Sequence, residues 1–318
     1  AGRYGTTDGP PLHDRMLDYS KQVQHGGQPQ LQIRHQRPYS NRSRTYLIMN
    51  KDLKIVLDEL AARYNAPGFA EDDPIQFPKR YDDPRDIEIS AFLISIISWG
   101  RRPMILRNGE RMHQLLGNQP YRFVMEGNID AIPEDNVHRT FFGRHLRYAL
   151  RGLRTIYRTY GSLEAFGSHE GIQHAEAPAW ELAKAINRVS AEADSKCIEP
   201  LEGPTRCLPD NVDNSALKRL NMALRWLVRD DGIIDIGTWK LLKPSQLYIP
   251  LDVHSGNTAR ALGLLSRKAN DRRAVVELTE ALRRFNPDDP VLYDFALFGA
   301  GEAGIIKPKT ATISNSPD

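Results

Sequence analysis

Apolar residues return at helical spacing through most of the chain. In residues 51–64 the positions Leu53, Val56, Leu57 and Leu60 share one face, and Pro67-Gly68 closes the run. Residues 86–100 (D-I-E-I-S-A-F-L-I-S-I-I-S-W-G) are apolar nearly all round, which predicts a helix buried on every side. The helical period recurs in residues 106–116, 180–193, 214–229 and 272–285. A last helix is expected over residues 291–298, started by the N-P-D-D-P turn before it and stopped by Gly299-Ala300-Gly301. The turn-rich segments 72–84 and 199–213 read as loops. No alternating run of useful length appears, so the pattern predicts an all-α protein.

Residues 143–160 carry two stripes. Leu146, Leu150, Leu153 and Tyr157 mark one, and Arg144, Arg147, Arg151, Arg154 and Arg158 mark the other. At about 100° per residue the two arcs are centred roughly 130° apart, so one face packs and another presents guanidinium groups. Five like charges on one face require an answer, from acidic neighbours in the fold or from phosphates.

Composition sharpens this only in part. The 318 residues are 40% hydrophobic and 26% charged, as in ordinary globular proteins, and no window approaches the roughly 18 apolar residues of a membrane span. Net charge is +3, but residues 1–48 hold seven Lys/Arg against three Asp. The remainder is therefore close to neutral, and only clustering of its charges would favour nucleic acid. Residues 1–48, rich in Gly, Gln, Pro, Ser and Arg without a sustained period, are expected to be a disordered tail, as are residues 307–318. Met49 is then a candidate natural start. Two cysteines, Cys197 and Cys207, and the lack of a signal-peptide pattern point to a cytoplasmic, reducing setting. No Cys/His spacing reads as a metal site, and no cofactor is implied.

The chemistry concentrates in two stretches. In residues 247–265 (L-Y-I-P-L-D-V-H-S-G-N-T-A-R-A-L-G-L-L), Pro250 prevents a helix from running through Ile249, so Asp252 begins a new element that Gly263 ends. Asp252 is then an N-cap, a role that does not exclude chemistry at a helix mouth. In residues 214–229 Lys218 falls in a first turn, where the helix dipole disfavours a cation and helps turn the amine into a nucleophile. Lys218, Arg225 and Arg229 align on the side opposite Leu220, Ala223, Leu224 and Leu227.

P-L-D-V-H followed by a small-residue helix and A-R-A-L-G-L resembles the segment carrying the active-site aspartate of the helix-hairpin-helix DNA glycosylases, the superfamily of endonuclease III and oxoguanine DNA glycosylase. L-P-D-N-V-D-N-S-A-L-K-R-L-N-M-A-L-R-W-L-V resembles their hairpin-to-helix pattern, with Lys218 in the lysine position, and L-Y-D-F-A-L-F-G resembles their closing helix. The glycines of that hairpin are missing, Asp210 and Val212 standing near their places. From Met49 to Ile306 the chain is also similar to an uncharacterised bacterial family known only as a domain of unknown function. The carrying blocks are S-W-G-R-R, K-R-L-N-M-A-L-R-W-L-V-R, P-S-Q-L-Y-I-P-L-D-V-H-S-G and Y-D-F-A-L-F-G.

The glycosylase resemblance implies a two-lobed helical domain over residues 49–306, with one lobe of residues about 100–245 and the other of 49–99 plus 252–306. Between them a cleft would hold Asp252 and Lys218 as catalytic residues acting on damaged DNA. Arg101, Arg102, Arg225, Arg229 and His254 would contact the nucleic acid. Lys240 and Lys243 are rival nucleophiles. A non-catalytic nucleic-acid-binding module of the same fold and a helical protein-interaction scaffold are the alternatives.

Overall fold

The computed structural model describes residues 41–306, and the expected tail up to residue 40 and beyond 306 lies outside them. The fold is all-α apart from one small hairpin. The first helix, α1, spans Asn41–Tyr64 and so begins ahead of Met49. After the short α2 (Pro67–Glu71) and two 3-10 turns, the core helix α3 spans Pro84–Ile96, capped by the Asp83 side chain on the Arg85 N–H at 2.9 Å. It stops short of Gly100. Ser95 and Ser98 turn their hydroxyls onto the carbonyls of Phe92 and Ile94, and Gly100 takes φ +99, which reverses the chain.

Helices α4 (Arg102–Leu115) and α5 (Pro120–Glu126) lead to strands β1 (Asn136–His138) and β2 (Phe141–Phe142), an antiparallel pair too short to leave an alternating signature. Then come α6 (Gly143–Tyr160), α7 (Leu163–His169) and α8 (Pro178–Ser195). The remaining helices are α9 (Lys218–Val228), α10 (Val253–Ala261), α11 (Arg272–Arg283) and α12 (Tyr293–Glu302).

The apolar stripe of α6 packs on α8, α9 lies against α3, and α12 is gripped between α1 and α10. The buried apolar side chains form one continuous core. Inside it, Glu88 of α3 accepts from the Tyr157 hydroxyl, the Trp239 indole and the Leu163 and Glu164 N–H groups, so this buried carboxylate ties α6 and α7 to α3.

The glycines expected to end the last helix instead lie inside α12, because there they let two elements approach closely. A Cβ on Gly299 would fall 2.2 Å from Tyr64 Cγ of α1, and one on Gly301 would fall 2.6 Å from Thr258 Oγ1 of α10. No helix among the described residues is long and apolar enough to cross a membrane.

Candidate active-site cleft

The loop into α9 passes through a 3-10 turn, Val212–Asn214, and then through Leu217 in the left-handed conformation at φ 45. For a branched side chain that costs about 1–2 kcal/mol. Leu217 is nevertheless held: its side chain is buried, its N–H donates to Ser215 Oγ at 3.2 Å and its carbonyl accepts from Asn221 N–H at 2.9 Å. The kink places Lys218 as the first residue of α9, half-buried. No hydrogen bond or ion pair engages its ammonium among the described residues.

Asp252 caps α10 as expected. Its backbone is extended, Oδ1 accepts from Ser255 N–H at 2.8 Å, and its own carbonyl accepts from Asn270 Nδ2 at 2.9 Å. The approach to it is anchored by Ile249 N–H donating to Thr279 Oγ1 of α11 at 3.1 Å. Capping occupies one carboxylate oxygen and leaves the other without a hydrogen bond among the described residues.

Lys218 and Asp252 line one cleft of about 440 Å³, whose walls also include Pro209, Leu217, Leu251 and Asn270. Behind it lies a second tier of charge. Asp294 of α12, buried, accepts from Ser255 Oγ at 3.2 Å and from Arg225 Nη1. Burial pushes its carboxyl up to about 6; Arg225 pulls it back down, the Asp252 carboxylate adds to the rise, and Lys218 opposes it. Asp73, which caps the 3-10 turn Pro74–Gln76 through Ile75 N–H, is also raised by burial, against the pull of that N–H, Arg225, Arg102 and Lys218. An amine and three carboxylates thus share one electrostatic neighbourhood.

The other expected contact residues divide. Arg101 is exposed, and no carboxylate pairs with it among the described residues. Arg102 pairs with Glu302 at 2.6 Å and lies over Phe298, while exposed His254 meets Phe298 edge-on at 5.8 Å. Arg225 and Arg229 do not face solvent, contrary to expectation. They are 4% and 3% exposed, and they answer Asp235 and Asp294, and Asp231, Asp235 and Asp289, respectively. The polar side of α9 is covered, so neither guanidinium is presented to a phosphate.

The arginine stripe of α6 is likewise answered from within. Arg144 and Arg147 bind Glu134, Arg151 binds Asp130 and Asp194, and Arg154 and Arg158 cap carbonyls in the segment 124–127. Lys240 binds Asp230 and the Gly237 carbonyl, and neither it nor Lys243 lines the cleft.

Sequence reasoning missed Asp294, Asp73 and Ser255. Asp294 had a signal, being the lone charge in the apolar run V-L-Y-D-F-A-L-F. Among the described residues no group of three or more His, Cys, Asp or Glu is arranged to hold a metal ion. A family model described as Protein of unknown function (DUF2400) matches residues 73–303, in accord with the expected family of unknown function. No curated protein and no solved structure matches the chain.

Proposed function

We propose that this chain, which belongs to the DUF2400 family, is a DNA-binding enzyme of the helix-hairpin-helix glycosylase type that removes a damaged base. The observation that carries the reading is the meeting of Lys218 and Asp252 in one cleft, although they are far apart in sequence and arrive on different helices. The residues known to each side of that cleft suit the chemistry. A nucleotide turned out of the duplex, at a cost of a few kcal/mol, brings its C1′ to the Lys218 amine. The amine attacks C1′, the N-glycosidic bond breaks and its electron pair leaves with the base. Loss of the O4′ bond to C1′ then gives a Schiff base, from which removal of a C2′ proton expels the 3′-phosphate. Asp252, with one oxygen spent on its helix, uses the other to take a proton from the Lys218 ammonium, freeing the amine that attacks, or to offset the positive charge that develops at C1′.

A second reading, a nucleic-acid-binding module without the chemistry, is favoured by one observation: Asp210 and Val212 stand near the places of the hairpin glycines through which the superfamily's backbone approaches a phosphate.

The test is borohydride trapping of the purified chain with duplexes bearing an abasic site or oxoguanine, comparing wild type with Lys218→Gln and Asp252→Asn. The wild type should form a covalent adduct that Lys218→Gln loses, with the circular dichroism spectrum unchanged. An adduct that survives Lys218→Gln moves the nucleophile elsewhere. No adduct and no released base, with salt-dependent binding that persists in Asp252→Asn, would replace the enzyme by the binding module.

A further inference from the structure

A second cleft, of about 390 Å³, adjoins the first. Trp99, Thr140, Arg206 and Asp210 line it, and Leu208, Pro209 and Arg219 belong to the walls of both clefts. Arg219 is therefore the boundary between the space that holds Lys218 and the space beyond it.

Its surroundings differ from those of Arg151, Arg225 and Arg229, and also from those of Arg154, which pairs with no carboxylate among the described residues but spends its guanidinium on the carbonyls of Phe123, Val124 and Gly127. Arg151, Arg225 and Arg229 each bind two or more carboxylates. Arg219 binds none among the described residues; its hydrogen bond goes to the carbonyl of Ile96, at the end of α3, and its guanidinium lies over the Trp99 ring at 5.1 Å. Stacking on an indole engages the flat face of a guanidinium and leaves the in-plane N–H edge for an acceptor. Most of that edge has no acceptor among the described residues. Burial also holds this group below its usual pKa, the mark of a cation removed from water without a counter-charge.

Across the same cleft Arg206 is exposed and has no partner among the described residues. The opposing charge is the single carboxylate of Asp210, so two guanidiniums outweigh it. A planar, in-plane donor edge with excess positive charge fits a phosphate oxygen pair better than any neutral ligand.

We propose that the second cleft is a phosphate subsite, in which Arg219 and Arg206 take the phosphodiester next to the nucleotide held at Lys218. This rests on the nucleic-acid reading above and gives it the phosphate contact that the missing hairpin glycines would otherwise supply. The shared chemistry is a phosphate, and a strand and a free phosphate are separable by experiment.

The full chain is titrated by fluorescence anisotropy with a short labelled duplex carrying one abasic site, over a series of salt concentrations. Arg219→Met and Arg206→Asn are compared with wild type, and inorganic phosphate is titrated separately by calorimetry. Each variant should weaken duplex binding about tenfold and lower the salt slope by about one. Arg206→Asn keeps the fold, because the side chain is unpartnered and Asn suits the left-handed backbone at φ 58. Arg219→Met separates function from structure. If the guanidinium serves a ligand, the apolar replacement leaves the melting temperature equal or higher; if its bond to Ile96 is its purpose, melting falls and the proposal fails. Duplex binding that is the same in wild type and both variants overturns the subsite and spares the nucleic-acid reading. Phosphate binding lost in the variants, with no duplex binding by wild type, supports the anion site and removes the strand. Binding of neither probe by wild type overturns the subsite.

Discussion

Replacing Arg225 by Met tests whether α9 is held by its buried charges. Arg225 is 4% exposed, and its carboxylate partners Asp235 and Asp294 are 4% and 6% exposed, so both would be left buried without it. Arg229 still reaches Asp235, but no other cation pairs with Asp294 among the described residues. Breaking a buried pair from one side costs about 3–5 kcal/mol, against at most about 0.5 kcal/mol for a solvent-facing arginine. For an ordered region of this size that lowers the melting temperature by about 10 °C. The pH dependence supplies a second reading. Asp294 already holds its proton up to about 6, and without Arg225 it holds it more tightly still. In acid it can be buried neutral, so the loss should be smaller near about pH 5 and full near about pH 8. Denaturant unfolding of wild type and Arg225→Met at both pH values measures this directly. A loss below about 1 kcal/mol, or one equal at both pH values, would refute the account.

Two further outcomes follow from the same geometry. Asp294 binds its proton more tightly when folded than at its ordinary 3.8, so its contribution favours folding in acid and is lost as pH rises from about 4 to about 6. Stability measured across that window should fall less in Asp294→Asn than in wild type, by up to about 3 kcal/mol, and parallel curves would contradict the burial argument. Gly299→Ala should destabilise by about 1–3 kcal/mol in thermal unfolding, since its Cβ meets the Tyr64 ring, whereas Gly68→Ala, with nothing near, should be neutral or stabilising by a few tenths.

What could be read from the sequence was local. Asp252 as a cap, Gly263 as a terminator and Lys218 in a first turn each follow from rules that act within one turn and are found there, although α9 begins at Lys218 and not at residue 214, because Leu217 takes the left-handed conformation. What could not be read depends on neighbours distant in the chain. The glycines of α12 look like a stop until Tyr64 and Thr258 are placed against them. The polar side of α9 has the period of a solvent face, and only the arrival of Asp235, Asp289 and Asp294 makes it an interior. The stripe of α6 was ambiguous for the same reason, its carboxylates lying on two other segments, Asp130 and Glu134 between α5 and β1 and Asp194 on α8. Arg219 gave no sign of its own, because an unpaired arginine beside a lysine reads like any other basic pair.

The packing of α1 against α12 has a consequence for the order of synthesis. A ribosome releases α1 near the beginning of the described chain, yet its partner is the last helix among the described residues, and that same helix brings Asp294 to the first turn of α10. Until α12 has been made, the growing chain exposes the apolar side of α1 and lacks the support behind Asp252. A message cut short before α12 would therefore yield a sticky fragment without an assembled cleft, rather than a weakened form of the protein.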